Sequence, residues 1–145
     1  MKTLTTCVRK IHFCSGHRVF GHECKCATPH GHNYNAYITA EADELDQIGR
    51  VIDFSVLKEK IGGWIDTYWD HTFLVYEKDH VLIAALETVP GHKPHFVCPF
   101  NPTAENMAQY LLHTIAPQVL AGIPVRITKV VIEETENCYA EAFLN

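Results

Sequence analysis

The stretch His30-Gly31-His32-Asn33-Tyr34-Asn35-Ala36-Tyr37-Ile38-Thr39-Ala40-Glu41-Ala42 carries two signals at once. From Asn33 to Ala42, the small or apolar residues Tyr34, Ala36, Ile38, Ala40 and Ala42 alternate with Asn33, Asn35, Tyr37, Thr39 and Glu41. A period of two predicts a β-strand with one face buried. At its start, His30 and His32 are two residues apart, so on extended backbone both imidazoles point the same way and can reach one ion. Gly31 permits close backbone approach between them.

Outward from this strand, Thr5–Cys14 reads as another, with Val8, Ile11 and Phe13 as its apolar points. Asp53–Trp69 reads as a helix: Leu57, Ile61, Trp64, Ile65 and Tyr68 fall on one face, and Asp53 suits the N-cap. Gly62-Gly63 weakens that helix, because each glycine costs about 1 kcal/mol against alanine. Lys78–Cys98 resists assignment; Val81–Leu86 fits a short helix or a strand, and Pro90-Gly91 marks a turn. Thr103 reads as the N-cap of a second helix, with Glu105 in its first turn and Met107, Tyr110, Leu111 and Ile115 as its apolar stripe. Pro117 is expected to end or kink it. Val125–Glu133 and Cys138–Leu144 read as strands across a Thr135-Glu136-Asn137 turn. The order predicts an α+β domain with helices on one face of an antiparallel sheet.

Composition bounds the function. The 145 residues make one domain, 47% hydrophobic and 20% charged, with a net charge of −5. That balance argues against a nucleic-acid or anionic-membrane partner, which calls for a basic face. No apolar stretch is long enough to span a membrane, and Met1–Cys14 has no secretory apolar core, so the expectation is a cytoplasmic chain with reduced thiols. Six cysteines and ten histidines then point to metal binding or catalysis rather than a disulfide framework.

His17 lies on a different segment from His30 and His32 and can complete a three-histidine set, which with one open position is the donor set of a catalytic zinc. Cys24 and Cys26 precede the pair. A closed structural zinc on Cys24, Cys26, His30 and His32 is disfavoured, because both gaps are one residue where such sites use wider spacing. The alternative is a free thiol beside the metal acting as acid or base. Asp70-His71 is a second candidate, a carboxylate able to orient an imidazole for proton transfer, against the plainer reading of a polar helix end. Of Glu133-Glu134, a carboxylate aimed into a pocket could bind an amidine-like ring edge bidentately; solvated carboxylates are the plainer reading. His92, His95 and Cys98 form a looser cluster, read as a surface loop in preference to a second metal site. A cupin is set aside, because the residues four and five after His32 are Ala36 and Tyr37 where that fold would want a glutamate.

Phe13-Cys14-Ser15-Gly16-His17, Cys26-x₃-His30-Gly31-His32-Asn33-Tyr34, Val51-Ile52-Asp53-Phe54, Asp70-His71, Pro102-Thr103-Ala104-Glu105-Asn106 and Glu134-Thr135 occur in this order. As an ordered set over about Lys10–Tyr139, they resemble the family of 6-pyruvoyl- and 6-carboxy-tetrahydropterin synthases. The resemblance implies the tunnelling (T-) fold, a four-stranded antiparallel sheet with two helices on one face, assembled into homohexamers with active sites between subunits. It implies Zn²⁺ on His17, His30 and His32, Cys26 as general base, and Asp70 and His71 as the pair tuning that thiol. Glu134 would anchor the pterin and join the proton relay, and Thr103 and Glu105 would lie near the pterin pocket. The implied substrate is 7,8-dihydroneopterin triphosphate, with no nicotinamide, consistent with the lack of a G-x-G-x-x-G motif or P-loop. The carboxy branch places its cysteine four residues before the first His of H-G-H and the pyruvoyl branch six before; this chain has both, Cys26 and Cys24. The intact C-x₃-H-G-H spacing favours the carboxy branch, on the route to queuosine. A non-catalytic zinc- or pterin-binding protein on the same fold remains the reading of another class. The longer Lys78–Cys98 segment departs from the short bacterial members.

Overall fold

The computed structural model describes residues 1–145. Strand β1 (Thr6–His17) and strand β2 (His30–Glu41) form a long antiparallel hairpin in which Phe13 faces Tyr34, Ile11 faces Ala36 and His17 faces His30. Helix α1 occupies residues 54–68 as three consecutive segments, Phe54–Leu57, Lys58–Gly62 and Gly63–Tyr68. Strand β3 (Thr72–Tyr76), helix α2 (His80–Glu87) and strand β4 (Phe96–Cys98) follow. Helix α3 covers residues 104–119 as Ala104–Tyr110, Leu111–Ile115 and Ala116–Val119. Strands β5 (Arg126–Thr135) and β6 (Cys138–Phe143) close the chain.

The six strands form one sheet in the order β4-β3-β1-β2-β5-β6. The expected four antiparallel strands are β1, β2, β5 and β6. The expectation of a four-stranded sheet with two helices is corrected here: β3 joins β1 in parallel, β4 joins β3 in parallel, and α2 makes a third helix. The two added strands are five and three residues long. Leu74 and Val75, adjacent in sequence, are both fully buried, so the segment shows no alternation to read.

The alternation in β2 does bury one face. Tyr34, Ala36, Ile38 and Ala40 are fully buried, as are Phe13 of β1 and Val130 and Ile132 of β5. Leu57, Ile61 and Ile65 of α1 and Met107, Leu111 and Ile115 of α3 belong to the same core. Asp53 and Thr103 cap their helices as expected, accepting from the N–H groups of Ser55 and Asn106. The glycine pair does not end α1. The backbone widens to a π turn over Lys58–Gly62, and Gly62 packs buried beside Ile11. A second π turn at Leu111–Ile115 carries α3 past Pro117, which lacks the N–H that an α-helix would need there. No helix is long and apolar enough to cross a membrane.

Candidate metal and proton-transfer site

The core-facing stripe of the sheet ends in histidine. Along β1 the inward positions run Ile11, Phe13, Ser15, His17; along β2 they run Ala36, Tyr34, His32, His30. In β5, Val130 and Ile132 are followed at the same parity by Glu134, at an irregularity in the β5–β6 pairing between Glu133 and Thr135. Such a bulge re-aims a side chain at a strand end. The result is a cluster in which one ligand atom from each of His17, His30, His32 and Glu134 lies within 4.8 Å of all the others.

Backbone carbonyls orient two of the rings. His17 donates from Nδ1–H to the carbonyl of Pro102 at 2.6 Å, and His30 from Nδ1–H to that of Thr28 at 2.6 Å. Each bond leaves the Nε2 lone pair facing the cluster. Nε2 of His17 is buried without a hydrogen-bond partner. Nε2 of His30 and His32 approach to 3.1 Å, and the Glu134 carboxylate stands 2.9 Å from His32 Nε2 and 4.0 Å from His17 Nε2. Burial depresses the basicity of His17 and His32 below the ordinary histidine value, which favours the neutral, ligating form. A buried orphan nitrogen, two further convergent imidazole nitrogens and one carboxylate oxygen fit a zinc-type ion. Tyr34 lies against this site: its ring centroid is 5.4 Å from that of His32, and its buried hydroxyl has no partner.

Asp70 and His71 follow the end of α1. His71 Nδ1 donates to Asp70 Oδ2 at 2.8 Å, while Asp70 Oδ1 accepts from the Cys14 N–H at 2.9 Å. Burial works to raise the Asp70 carboxyl, but the Cys14 and His71 hydrogen bonds and the charges of His71 and Lys93 outweigh it, holding it below the ordinary aspartate value. His71 is the only non-glycine residue with positive φ, at 55°, a conformation that costs an L-residue about 1–2 kcal/mol. His71 and His32 line one open depression of about 570 Å³, with Cys14, Asn33 and Lys93.

The other sequence-derived residues are placed as follows. Cys26 is half-buried in a short 3₁₀ turn, Lys25–Ala27, on the β1–β2 connection, where its carbonyl accepts from the Val19 N–H at 2.8 Å; Cys24 is exposed. No hydrogen bond within the chain joins Cys26 to Asp70 or His71. Thr103 caps α3, and Glu105 lines a shallow cavity of about 170 Å³ with Glu134 and Tyr139. All six cysteines are free. His92, His95 and Cys98 do not form a site: Cys98 lies in the core, where burial pushes its thiol up to about 12, while His92 Nε2 hydrogen-bonds the Leu86 carbonyl. Sequence reasoning missed the carbonyls of Thr28 and Pro102, which a residue string does not reveal as ring-orienting acceptors. It also missed Lys93, whose only signal was a cation in an unassigned segment.

Comparison with known proteins gives a consistent result. The family model described as 6-pyruvoyl tetrahydropterin synthase matches residues 6–144. The chain is 36% identical over 135 residues to 6-carboxy-5,6,7,8-tetrahydropterin synthase of Rickettsia bellii, covering 93% of this chain and 97% of that protein. It is 28% identical to the protein of the same name from Helicobacter pylori strain J99, covering 94% and 72% respectively. Among solved structures, an uncharacterized protein of Wolinella succinogenes superposes with a TM-score of 0.85 at 22% identity, covering 99% of this chain and 100% of that one. The 6-pyruvoyl tetrahydropterin synthase of Caenorhabditis elegans superposes with a TM-score of 0.69 at 25% identity, covering 99% and 97%.

Proposed function

The chain belongs to the 6-pyruvoyl tetrahydropterin synthase family, and from that membership we propose that it is a zinc-dependent 6-carboxy-5,6,7,8-tetrahydropterin synthase. The reaction converts 7,8-dihydroneopterin triphosphate and water to 6-carboxytetrahydropterin, acetaldehyde and triphosphate. The observation that carries this reading is the convergence of His17, His30 and His32 through their Nε2 atoms beside Glu134, with Cys26 four residues before His30 at the C-x₃-H-G-H spacing. The relatives named as carboxy synthases support the branch.

His17, His30 and His32 would hold the zinc, which when bound would supply Lewis-acid polarisation of substrate oxygen atoms. Cys26 takes a side-chain proton as general base. His71, held through Nδ1 by Asp70, carries a proton on Nε2 during the internal redox step. With the three imidazole nitrogens engaged, Glu134 is free to accept two N–H bonds from the pterin ring edge. Glu105 and the Thr103 cap form the neighbouring wall at the start of α3. The substrate supplies its own hydrogens, so no nicotinamide takes part. As the family resemblance implies, the proposal includes a homo-oligomer, with the hexamer as its form, whose sites lie between subunits.

Product identification tests the reading. Zinc-loaded protein is incubated with 7,8-dihydroneopterin triphosphate, the pterins are analysed by mass spectrometry and acetaldehyde is assayed. A 6-carboxytetrahydropterin with acetaldehyde supports it. A 6-pyruvoyl product without acetaldehyde moves the chain to the other branch and the base to Cys24. Absence of turnover in the zinc-loaded protein rejects this substrate and leaves a binding protein or an enzyme acting on a different pterin.

A further inference from the structure

The peptide between Asp70 and His71 is held at both ends. Its N–H, from His71, donates to the Cys14 carbonyl at 2.6 Å. Its C=O, from Asp70, accepts from Lys93 Nζ at 2.7 Å and, at a longer 3.1 Å, from the Thr72 hydroxyl. A peptide group is planar, so two anchors on opposite sides fix its rotation about the chain. That rotation sets φ at His71, which is left-handed although the residue is not glycine. The His71 side chain is 76% exposed and its one hydrogen bond is to Asp70. Packing therefore does little to aim the imidazole, and the backbone does most of it.

We propose that Lys93 is a positioning residue for the Asp70–His71 pair, its ammonium holding the Asp70 carbonyl and thereby the backbone conformation that aims His71 into the depression beside His32. The catalytic meaning of this clamp rests on the function proposed above; the clamp itself does not. Lys93 also donates to the Asp66 carbonyl in the last turn of α1, at 2.7 Å. A cation there is favoured by the helix dipole as well as by the hydrogen bond. One ammonium thus bridges the end of α1 and the turn that carries the proton-transfer pair. The segment delivering it has anchors of its own. His92 hydrogen-bonds the Leu86 carbonyl, and Arg18 grips the Asp79 cap of α2 through two bonds. None of these bonds involves the ammonium, and through Lys93 the long segment between β3 and β4 acquires a role at the site.

The test compares Lys93→Met, which keeps the apolar stem, with Lys93→Arg, which keeps the charge and donors. Readouts are kcat and KM on 7,8-dihydroneopterin triphosphate, bound zinc, the thermal midpoint, and the imidazole NMR signals of His71 in the resting protein. Lys93→Met is expected to lower kcat about tenfold, the scale of one lost hydrogen bond. KM, zinc and the midpoint stay near the parent values, the His71 signals shift, and Lys93→Arg restores most of both. The proposal is overturned if Lys93→Met leaves the His71 signals and kcat unchanged. It is also overturned if kcat, zinc and midpoint fall together without recovery in Lys93→Arg, because the lysine then only supports the fold. If the parent protein does not turn the substrate over, the proposed function fails, and the His71 signals alone still decide whether Lys93 positions the pair.

Discussion

His30 and His32 face each other through Nε2 atoms 3.1 Å apart. At that separation either a proton on one ring, donated to the other, or a shared cation offsets the repulsion of two facing lone pairs, and the proposed zinc is the cation. His30→Ala is therefore expected to abolish stoichiometric zinc, measured by elemental analysis after dialysis, and turnover with it. His12→Ala, whose ring bonds Asn35 on the opposite face of the sheet, is expected to leave zinc at the parent level.

Cys26 and Cys24 separate by function. Cys26→Ala is expected to retain zinc and lose turnover by at least about a hundredfold, the scale of a missing general base. Cys24→Ala is expected to remain within about twofold of the parent. A dead Cys24→Ala with an active Cys26→Ala assigns the other branch of the family.

Glu134→Gln distinguishes pterin anchoring from metal ligation. The amide keeps the shape but loses one acceptor oxygen for the ring edge. The expected result is retained zinc with KM raised about tenfold or more, read from initial rates. Loss of zinc instead makes Glu134 a ligand.

Gly16 lies against the ring of Phe73, where a Cβ would sit 2.5 and 2.7 Å from two ring carbons. These two residues also pair β1 with β3. Gly16→Ala is expected to cost about 1–3 kcal/mol by overpacking, measured as a lower midpoint in denaturant titration.

Arg18 holds the Asp79 carboxyl below the ordinary aspartate value through two hydrogen bonds, at 2.6 and 2.5 Å. A carboxyl depressed in the folded state binds fewer protons there than in the unfolded chain. Its stabilisation is fully present above the unfolded value of about 3.9 and is lost as pH falls through the lower folded value. Asp79→Asn is expected to lower stability at neutral pH and to flatten the acid limb of the stability–pH curve below about pH 4, measured by thermal melts.

The sequence determined the parts of this protein that follow from short-range pattern. A two-residue alternation buries Tyr34, Ala36, Ile38 and Ala40 because adjacent side chains on extended backbone must point to opposite faces. The same rule carries His30, His32 and Glu134 to the core face. Asp53 and Thr103 were legible as caps because their side chains bond backbone N–H groups two or three residues on. Tertiary structure decided what depends on distant partners. The short strands β3 and β4 exist by pairing, β3 with β1 and β4 with β3, and have too few residues to display a period. Convergence of His17 with His30 comes from hairpin register, and the orientation of their rings comes from the carbonyls of Pro102 and Thr28. Only folding brings Lys93 to the Asp70 carbonyl, 23 residues away in the chain, because a backbone acceptor is present at every residue and a sequence cannot say which one a lysine will find.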